Sequence, residues 1–162
     1  MRVLWAPWRM EYILSENKHE GCIFCPGKDR NRDKERLILH VGGLSMVMMN
    51  RYPYINGHLL VAPIRHIPAL DSLSEDEAKD VLHMVSLSIG VLKKVMKPEG
   101  FNVGLNLGRV AGAGVEEHMH FHIVPRWNGD TNYMTVLGDV RVIPDHIEST
   151  FETLLPYFKD LK

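Results

Sequence analysis

The stretch His118-Met119-His120-Phe121-His122-Ile123-Val124 decides both the fold and the chemistry expected of this chain. Its three histidines alternate with apolar residues, and in an extended segment alternate side chains point to opposite faces. One face would therefore lie on a core, whereas the other would carry three imidazoles in a row. Near neutral pH an imidazole can act as a nucleophile, a base or a metal ligand. Because a half-buried strand usually places Thr, Lys, Glu or Ser on its solvent face, this spacing predicts a functional site.

Short apolar runs and two amphipathic segments lie on either side of this histidine strand. Strands are predicted at residues 37–41, 45–50, 58–64, 101–107 and 117–125, with a hairpin turn at Gly42-Gly43. Ser74 and Glu77 have the spacing of a capping box, which predicts a helix that ends before Pro98. The apolar stripe of this helix is predicted at Ala78, Val81, Leu82, Val85, Ile89, Leu92 and Met96. Apolar spacing from Ile147 to Leu161 predicts a closing helix.

These elements predict a single α+β domain. Their order does not alternate as βαβ units do, so an antiparallel sheet with the long helix and the C-terminal helix packed on one side is expected. The chain has 162 residues, 45% of them apolar, which is enough for one core. No Gly/Ser linker or repeat divides it, so residues 1–35, an N-terminal arm with an aromatic stretch and a cysteine pair, belong to the same domain at 1–162.

The charge balance and the N-terminal sequence exclude several classes of protein. A net charge of -1 argues against nucleic-acid or membrane partners, since both surfaces need a basic excess. No apolar run approaches the length that spans a membrane. The first nine residues contain no apolar core of a signal peptide, so a cytoplasmic location is expected.

The two cysteines, Cys22 and Cys25, form a Cys-x-x-Cys pair. In a cytoplasmic chain such a pair is more typical of a metal site or a redox centre than of a structural disulfide. A thioredoxin-like pair would follow a strand and open a helix, whereas this one follows a polar stretch and precedes a charged run. The spacing therefore favours a metal site, with a redox pair and inert thiols as the alternatives.

A glycine-rich segment precedes the histidine strand. Gly108, Gly112 and Gly114 can take positive φ and turn backbone N–H groups toward an anion such as a phosphate. The segment matches neither a Walker A loop nor a GxGxxG motif, so a flexible turn explains it equally well. Beside an anion, the histidines permit two chemistries. They can hold a catalytic zinc ion, or one neutral imidazole can attack phosphorus and form a phosphohistidine.

The pattern at 118–124 resembles the His-φ-His-φ-His-φ-φ signature of the histidine-triad (HIT) nucleotide hydrolases and transferases. Residues 50–53 and 57–63 resemble the family's ribose-side segment, and Asn106, the glycine loop and residues 125–126 fall where its phosphate-binding parts fall. Within the family, residues 5–9 (WAPWR), 101–108 (FNVGLNLG) and 126–130 (RWNGD) are similar to the bacterial diadenosine-tetraphosphate phosphorylase branch.

The resemblance implies a HIT-like fold and an enzyme acting on adenine nucleotide conjugates such as diadenosine polyphosphates. His120 would be the nucleophile and would carry AMP through its α-phosphate. His122 would contact phosphoryl oxygens, and His58 would orient the catalytic imidazole. A satisfied core histidine is the alternative for His58. Phosphate and water are both open as acceptors.

The nucleotide-binding residues follow from the same resemblance. Asn50 would hold the ribose hydroxyls, with a turn-capping asparagine as the alternative. Asn106 would cradle the phosphates together with Gly112, Ala113 and Gly114. The related phosphorylases often carry Ser or Thr near Ala113-Gly114, so this chain departs from the family by offering backbone donors alone at this place.

The resemblance also implies a structural zinc ion, held by Cys22, Cys25, His66 and His118, and no organic cofactor. A homodimer or higher homo-oligomer is expected, as is common in the family. The other histidines, His19, His40, His83 and His146, are expected to be solvated. A nucleotide-binding regulatory protein with little turnover and a zinc-stabilised interaction module are the competing functions.

Overall fold

The computed structural model of the chain describes residues 21–130, 145–159 and 161. Within these residues the strands are β1 (Ile38–Val41), β2 (Ser45–Met49), β3 (Leu59–Pro63), β4 (Gly100–Leu105) and β5 (Phe121–Arg126), and the helices are α1 (Glu75–Met96) and α2 (Ile147–Lys159). The aromatic arm at residues 5–9 lies outside the described residues, as does His19. No helix in the described ranges combines the length and the apolar character that crossing a membrane requires.

Neighbouring strands of the sheet run antiparallel, in the order β1-β2-β3-β5-β4. Helix α1 packs over β2 and β3, and α2 packs over β1, with both helices in one apolar cluster. The β1–β2 hairpin closes where the Gly42 N–H donates to the Ser45 carbonyl at 2.8 Å. The predicted α+β architecture is therefore confirmed.

The central strand β3 is buried on both of its faces. Leu59 and Val61 pack beneath the helices, whereas Leu60 faces the other side of the sheet, where Phe24 is buried. The register pairs Leu60 with His122, and directly paired residues of antiparallel strands project to the same face. The histidine side chain therefore projects to the face of the sheet that the helices leave open.

The histidine strand begins later than the sequence predicts. β5 starts at Phe121 rather than at residue 117, so the first two histidines of the triad precede the ladder. The partner strand β3 ends at Pro63, which has no N–H to extend the pairing. The chain before β5 is held instead by the Met119 N–H, which donates to the Ile67 carbonyl at 2.7 Å.

Helix α1 begins with the predicted capping box. The Ser74 hydroxyl accepts from the Glu77 N–H, and the Glu77 carboxylate accepts from the Ser74 N–H. The predicted stripe is wrong at Leu82, which is 59% exposed, while Met84 and Ser88 are buried. The buried face of the helix follows steps of three and four residues from position 81. Ser88 lies on this face and is buried, whereas Leu82 lies beside it and is exposed.

His40 is not a solvated side chain, contrary to the sequence prediction. Its Nδ1 lies 3.1 Å from the carbonyl oxygen of Phe158, and since a carbonyl only accepts, Nδ1–H is the donor. This carbonyl lies in the last turn of α2, where helix carbonyls have no partner within the helix. The bond therefore joins the edge strand β1 to the end of α2.

Gly57, directly before His58, lies where only glycine is accommodated. Its φ is +77°, and an added Cβ would come within 2.6 Å of the Met96 sulfur. We expect Gly57→Ala to lower the free energy of unfolding by about 1–3 kcal/mol, from backbone strain and overpacking together. Urea denaturation measures this. Gly43→Ala is the matched control, because no atom lies within 4 Å of the added Cβ there; equal losses in both variants would contradict the prediction.

Candidate active site and metal centre

The structure brings the triad histidines and His58 into one row on the open face of the sheet. The ring centroids of His58 and His122 are 5.2 Å apart, and those of His120 and His122 are 4.9 Å apart. His58, His118 and His120 are buried, whereas His122 is half-buried. The accessible part of the row is therefore His122, which lies between the buried rings of His58 and His120.

The hydrogen bonds of His120 define which of its nitrogens is free to react. Its Nδ1 lies 2.9 Å from the backbone carbonyl oxygen of His118, so Nδ1 carries the proton and donates it. In the neutral ring, Nε2 then holds an unshared electron pair. Burial lowers the pKa of His120 below its usual value, which keeps the ring neutral. The middle imidazole is thus in the state that a nucleophile requires.

His58 and His122 form a hydrogen-bonded pair in which the donor and the acceptor nitrogens are defined. The Tyr54 N–H donates to His58 Nδ1 at 3.1 Å, so the proton of a neutral His58 is on Nε2. That Nε2 lies 3.0 Å from His122 Nδ1 and donates to it. The proton of His122 is therefore on its Nε2, where it is available as a donor. His58 is held by the turn before β3 and orients the His122 ring, whereas its predicted role of orienting the catalytic imidazole of His120 stays a prediction.

Burial, and to a smaller extent the adjacent His120, lowers the pKa of His122 to about 4. In the unfolded chain His122 binds a proton near pH 6.5, whereas in the folded protein it does so only near pH 4. The free energy of unfolding therefore falls as the pH drops from about 6.5 toward 4. We expect this pH-dependent loss to be smaller by about 1–2 kcal/mol in His122→Gln, since the ring is partly exposed. Urea midpoints of both proteins between pH 7 and 4.5 measure it; parallel pH profiles would contradict the assignment.

Asn50 adopts the turn-capping arrangement that was the alternative to its predicted ribose role. Its Oδ1 accepts from the Tyr52 N–H at 3.0 Å, and its Nδ2 lies 3.3 Å from His58 Nδ1. Both contacts stabilise the turn that leads into β3 and hold the His58 ring. Ribose binding by Asn50 stays a prediction.

Two backbone N–H groups of the glycine loop, which could otherwise bind an anion, already donate hydrogen bonds within the loop. Gly108 and Gly112 have φ of +79° and +88°, and they flank a 3₁₀ turn at Arg109–Ala111. The N–H groups of Gly112 and Ala113 donate to carbonyls within the loop, at 3.0 and 3.3 Å. Phosphate binding through these two amides, which stays a prediction, requires them to exchange those bonds for the ligand.

Asn106 lies against the glycine loop, as its predicted role requires. Its Nδ2 donates to the Gly112 carbonyl at 3.5 Å, a long hydrogen bond at an exposed position. Gly114 is not among the glycines with positive φ, so only part of the predicted glycine conformation is observed. Contact of Asn106 and Gly114 with phosphate stays a prediction.

The residues predicted to bind metal lie together although they come from three separate parts of the chain. The potential ligand atoms of Cys22, Cys25, His66 and His118 all lie within 4.8 Å of one another. The Cys22 sulfur is 3.3 Å from His118 Nδ1, and the Cys25 sulfur is 3.4 Å from His66 Nδ1. Ligand atoms of a tetrahedral S₂N₂ zinc site are separated by about 3.3–3.8 Å, so the cluster has suitable dimensions.

The protonation of this cluster also suits a cation. His118 Nε2 donates to the Pro63 carbonyl at 2.8 Å, which leaves Nδ1 as a lone pair directed at the sulfurs. Burial raises the pKa of the Cys25 thiol, and the adjacent Cys22 thiol raises it further. Two thiols held this close ionise together only when a positive charge lies between them. The donor set therefore fits a structural zinc ion.

Two aromatic residues of the site were missed by the sequence analysis. Phe24 stacks on the His120 ring, with centroids 4.3 Å apart and planes at 22°. Tyr54 lies nearly parallel to His122, at 5.9 Å and 10°. A signal existed for Phe24, because it lies between two cysteines assigned to the same metal as His118. Ring stacking itself depends on tertiary packing, which the spacing of residues does not reveal.

The described residues combine an antiparallel sheet with a row of imidazoles in which the middle ring of the triad, His120, carries an unshared electron pair on Nε2. The HIT domain family matches this chain over residues 32–129. The AP-4-A phosphorylase of Mycobacterium tuberculosis (strain ATCC 25618 / H37Rv) is 38% identical over 154 residues, which cover 91% of this chain and 79% of that protein. The chain belongs to the histidine-triad (HIT) family, which confirms the resemblance.

Two further comparisons agree with this family assignment. Adenosine 5'-monophosphoramidase hnt1 of Schizosaccharomyces pombe is 31% identical over 134 residues, covering 83% of this chain and 96% of that protein. The crystal structure of a Zn-bound histidine triad family protein from Mycobacterium smegmatis has a TM-score of 0.62 at 22% identity, and the match covers 76% of this chain and 84% of that one. The second likeness supports the fold.

Proposed function

We propose that this protein is a nucleotidyl hydrolase or transferase that cleaves adenine nucleotide conjugates such as diadenosine polyphosphates. One observation carries the proposal: the His118 carbonyl holds the Nδ1 proton of His120, so its Nε2 is free to attack. The similarity to an AP-4-A phosphorylase over 91% of the chain supports the substrate class. A phosphoramidate is a related candidate, favoured by the similarity to the monophosphoramidase hnt1.

The reaction has two displacements at the α-phosphorus. In the first, the His120 Nε2 lone pair forms the N–P bond while the P–O bond to the rest of the polyphosphate breaks, so diadenosine tetraphosphate releases ATP. The Nδ1 proton stays on the ring, where the His118 carbonyl stabilises the new positive charge. In the second, an acceptor oxygen displaces the imidazole and regenerates the lone pair.

His122 would assist by hydrogen bonding. Its Nε2–H, fixed by the bond from His58 Nε2 to His122 Nδ1, would donate to a phosphoryl or leaving oxygen as negative charge develops there. Asn50 would contact the ribose, and Asn106, Gly112, Ala113 and Gly114 would contact the phosphates. The two side-chain assignments are tested by the change in the Michaelis constant of Asn50→Ala and of Asn106→Ala.

A zinc ion in the cluster of Cys22, Cys25, His66 and His118 would be structural. When bound, it supplies cross-linking between the cysteine turn and the segment that carries the nucleophile, and no step of the reaction passes through it. The Mycobacterium smegmatis relative is described as Zn-bound, in agreement with this proposal. A cytoplasmic location and assembly as a homodimer or higher homo-oligomer remain part of the proposal.

The proposal is tested with diadenosine tetraphosphate, in the presence and absence of inorganic phosphate. ADP together with ATP in the phosphate reaction identifies phosphorolysis, whereas AMP together with ATP identifies hydrolysis. If neither this substrate nor adenosine phosphoramidate is turned over while AMP binds, the protein is a nucleotide-binding regulator and the proposal is wrong.

A further inference from the structure

We propose that Phe24 is a positioning residue for the nucleophile and transmits the state of the metal cluster to the His120 ring. The inference rests on the proposed function, in which His120 attacks phosphorus. It adds a residue outside the triad that controls the direction of this attack.

The position of His120 makes such a contact necessary. His120 precedes the first paired residue of β5, so the sheet ladder does not hold its backbone. The bond to the His118 carbonyl fixes the place of Nδ1 but leaves the ring able to tilt about that point. The Phe24 ring, 1% exposed and stacked at 4.3 Å, covers one face of the imidazole and prevents this tilt. Together, the hydrogen bond and the stack define where Nε2 points.

Phe24 is itself held on both sides. Its N–H donates to the Cys22 sulfur at 3.4 Å, and the Cys25 N–H donates to the Cys22 carbonyl at 3.1 Å. Arg36, just before β1, donates through Nη2 to the carbonyls of Ile23 and Cys25 at 2.9 Å each. The carbonyls of the residues on either side of Phe24 are thus bound to one guanidinium, so the cysteine turn presents the ring as a rigid unit.

The same turn contributes both sulfurs of the metal cluster, so the occupancy of the cluster and the placement of Phe24 are linked. Release of the metal frees the two cysteines, and the ring between them loses part of its support. A second route runs through His118, whose Nδ1 lies 3.3 Å from the Cys22 sulfur and whose carbonyl binds His120. Misplacing a reacting atom by about 1 Å costs on the order of 100-fold in rate. The metal thereby acts on catalysis without touching the substrate.

A different role for Phe24 is contact with the bound nucleotide, and kinetics separate the two. Phe24→Leu keeps an apolar side chain but removes the flat ring. We expect this variant to retain its metal, to lower kcat by about 10- to 100-fold and to leave KM within about twofold. Ile23→Val, a change in the same turn, is the matched control and is expected to alter neither constant. A raised KM with unchanged kcat overturns the positioning role.

A spectroscopic measurement tests the contact without any substrate. In protein labelled with ¹⁵N-histidine, the Nδ1–H of His120 is expected as a sharp, hydrogen-bonded resonance. Phe24→Leu is expected to broaden this resonance and to shift the His120 ring protons downfield through loss of the ring current, while the backbone amides of β2 and β3 keep their positions. Chelation of the metal is expected to reproduce this change in the wild type.

The outcomes of the two measurements separate the two proposals. Unchanged His120 resonances in Phe24→Leu would overturn the positioning role, whatever the kinetics show. A wild-type protein that turns over no nucleotide conjugate would contradict the proposed function, and the histidine spectrum would still decide the role of Phe24.

Discussion

Replacing His120 with alanine is expected to lower the turnover of diadenosine tetraphosphate by at least about 1,000-fold. The variant removes the ring whose Nε2 carries the unshared pair, and the neighbouring histidines cannot substitute for it. His122 presents a proton at Nε2, because its Nδ1 accepts from His58 at 3.0 Å. His118 directs Nδ1 at the cysteine sulfurs and donates through Nε2 to the Pro63 carbonyl. Among the three rings of the triad, the lone pair available to attack phosphorus is therefore that of His120 Nε2.

AMP binding, measured by calorimetry, is expected to change little in His120→Ala, since the ribose and phosphate contacts are assigned to other residues. His83→Ala is the matched control, because His83 is exposed on α1 and has no role in the site. In the wild type, substrate labelled at the α-phosphorus is expected to leave label on the protein through a bond that is labile to acid and stable to alkali. Turnover of His120→Ala within tenfold of the wild type would mean that another atom attacks phosphorus.

The antiparallel sheet and the capping box were predictable because both are local patterns. The period-two spacing at 118–124 correctly predicted an imidazole face, and Ser74 with Glu77 correctly predicted the start of α1. Contacts between distant parts of the chain are different. Cys22 and His118 are separated by 96 positions, so residue spacing alone does not pair them. Here the family resemblance supplied the set of four potential ligands, and the structure brings them together.

The predictions that failed depend on tertiary packing. The ladder of β5 begins four residues late because its partner strand ends at Pro63. Leu82 is exposed because the helix presents a neighbouring stripe to the sheet. His40 binds the last turn of α2, which lies far away in the sequence. In each case the competing partner comes from another element, and the local pattern contains no information about it.

The cysteine pair provides the second large expected effect, on stability and metal content. We expect purified protein to contain one zinc ion per chain by mass spectrometry, and Cys25→Ser to contain none. The Cys25 sulfur lies 3.4 Å from His66 and 3.7 Å from His118, so its loss removes a ligand that both imidazoles adjoin. Because sheet and helices form a core without the metal, the cost is smaller than for a zinc finger, about 3–5 kcal/mol.

For a domain of this size that cost lowers the midpoint of thermal unfolding by about 6–20 °C. The wild type treated with a chelator is expected to unfold at the temperature of Cys25→Ser, and the chelator is expected to leave Cys25→Ser unchanged. This equivalence separates loss of the metal from loss of the cysteine side chain, because Cys25 is only half-buried and its sulfur contributes little packing of its own. A chelator that leaves the wild-type midpoint unchanged would show that the four residues do not hold a stabilising ion.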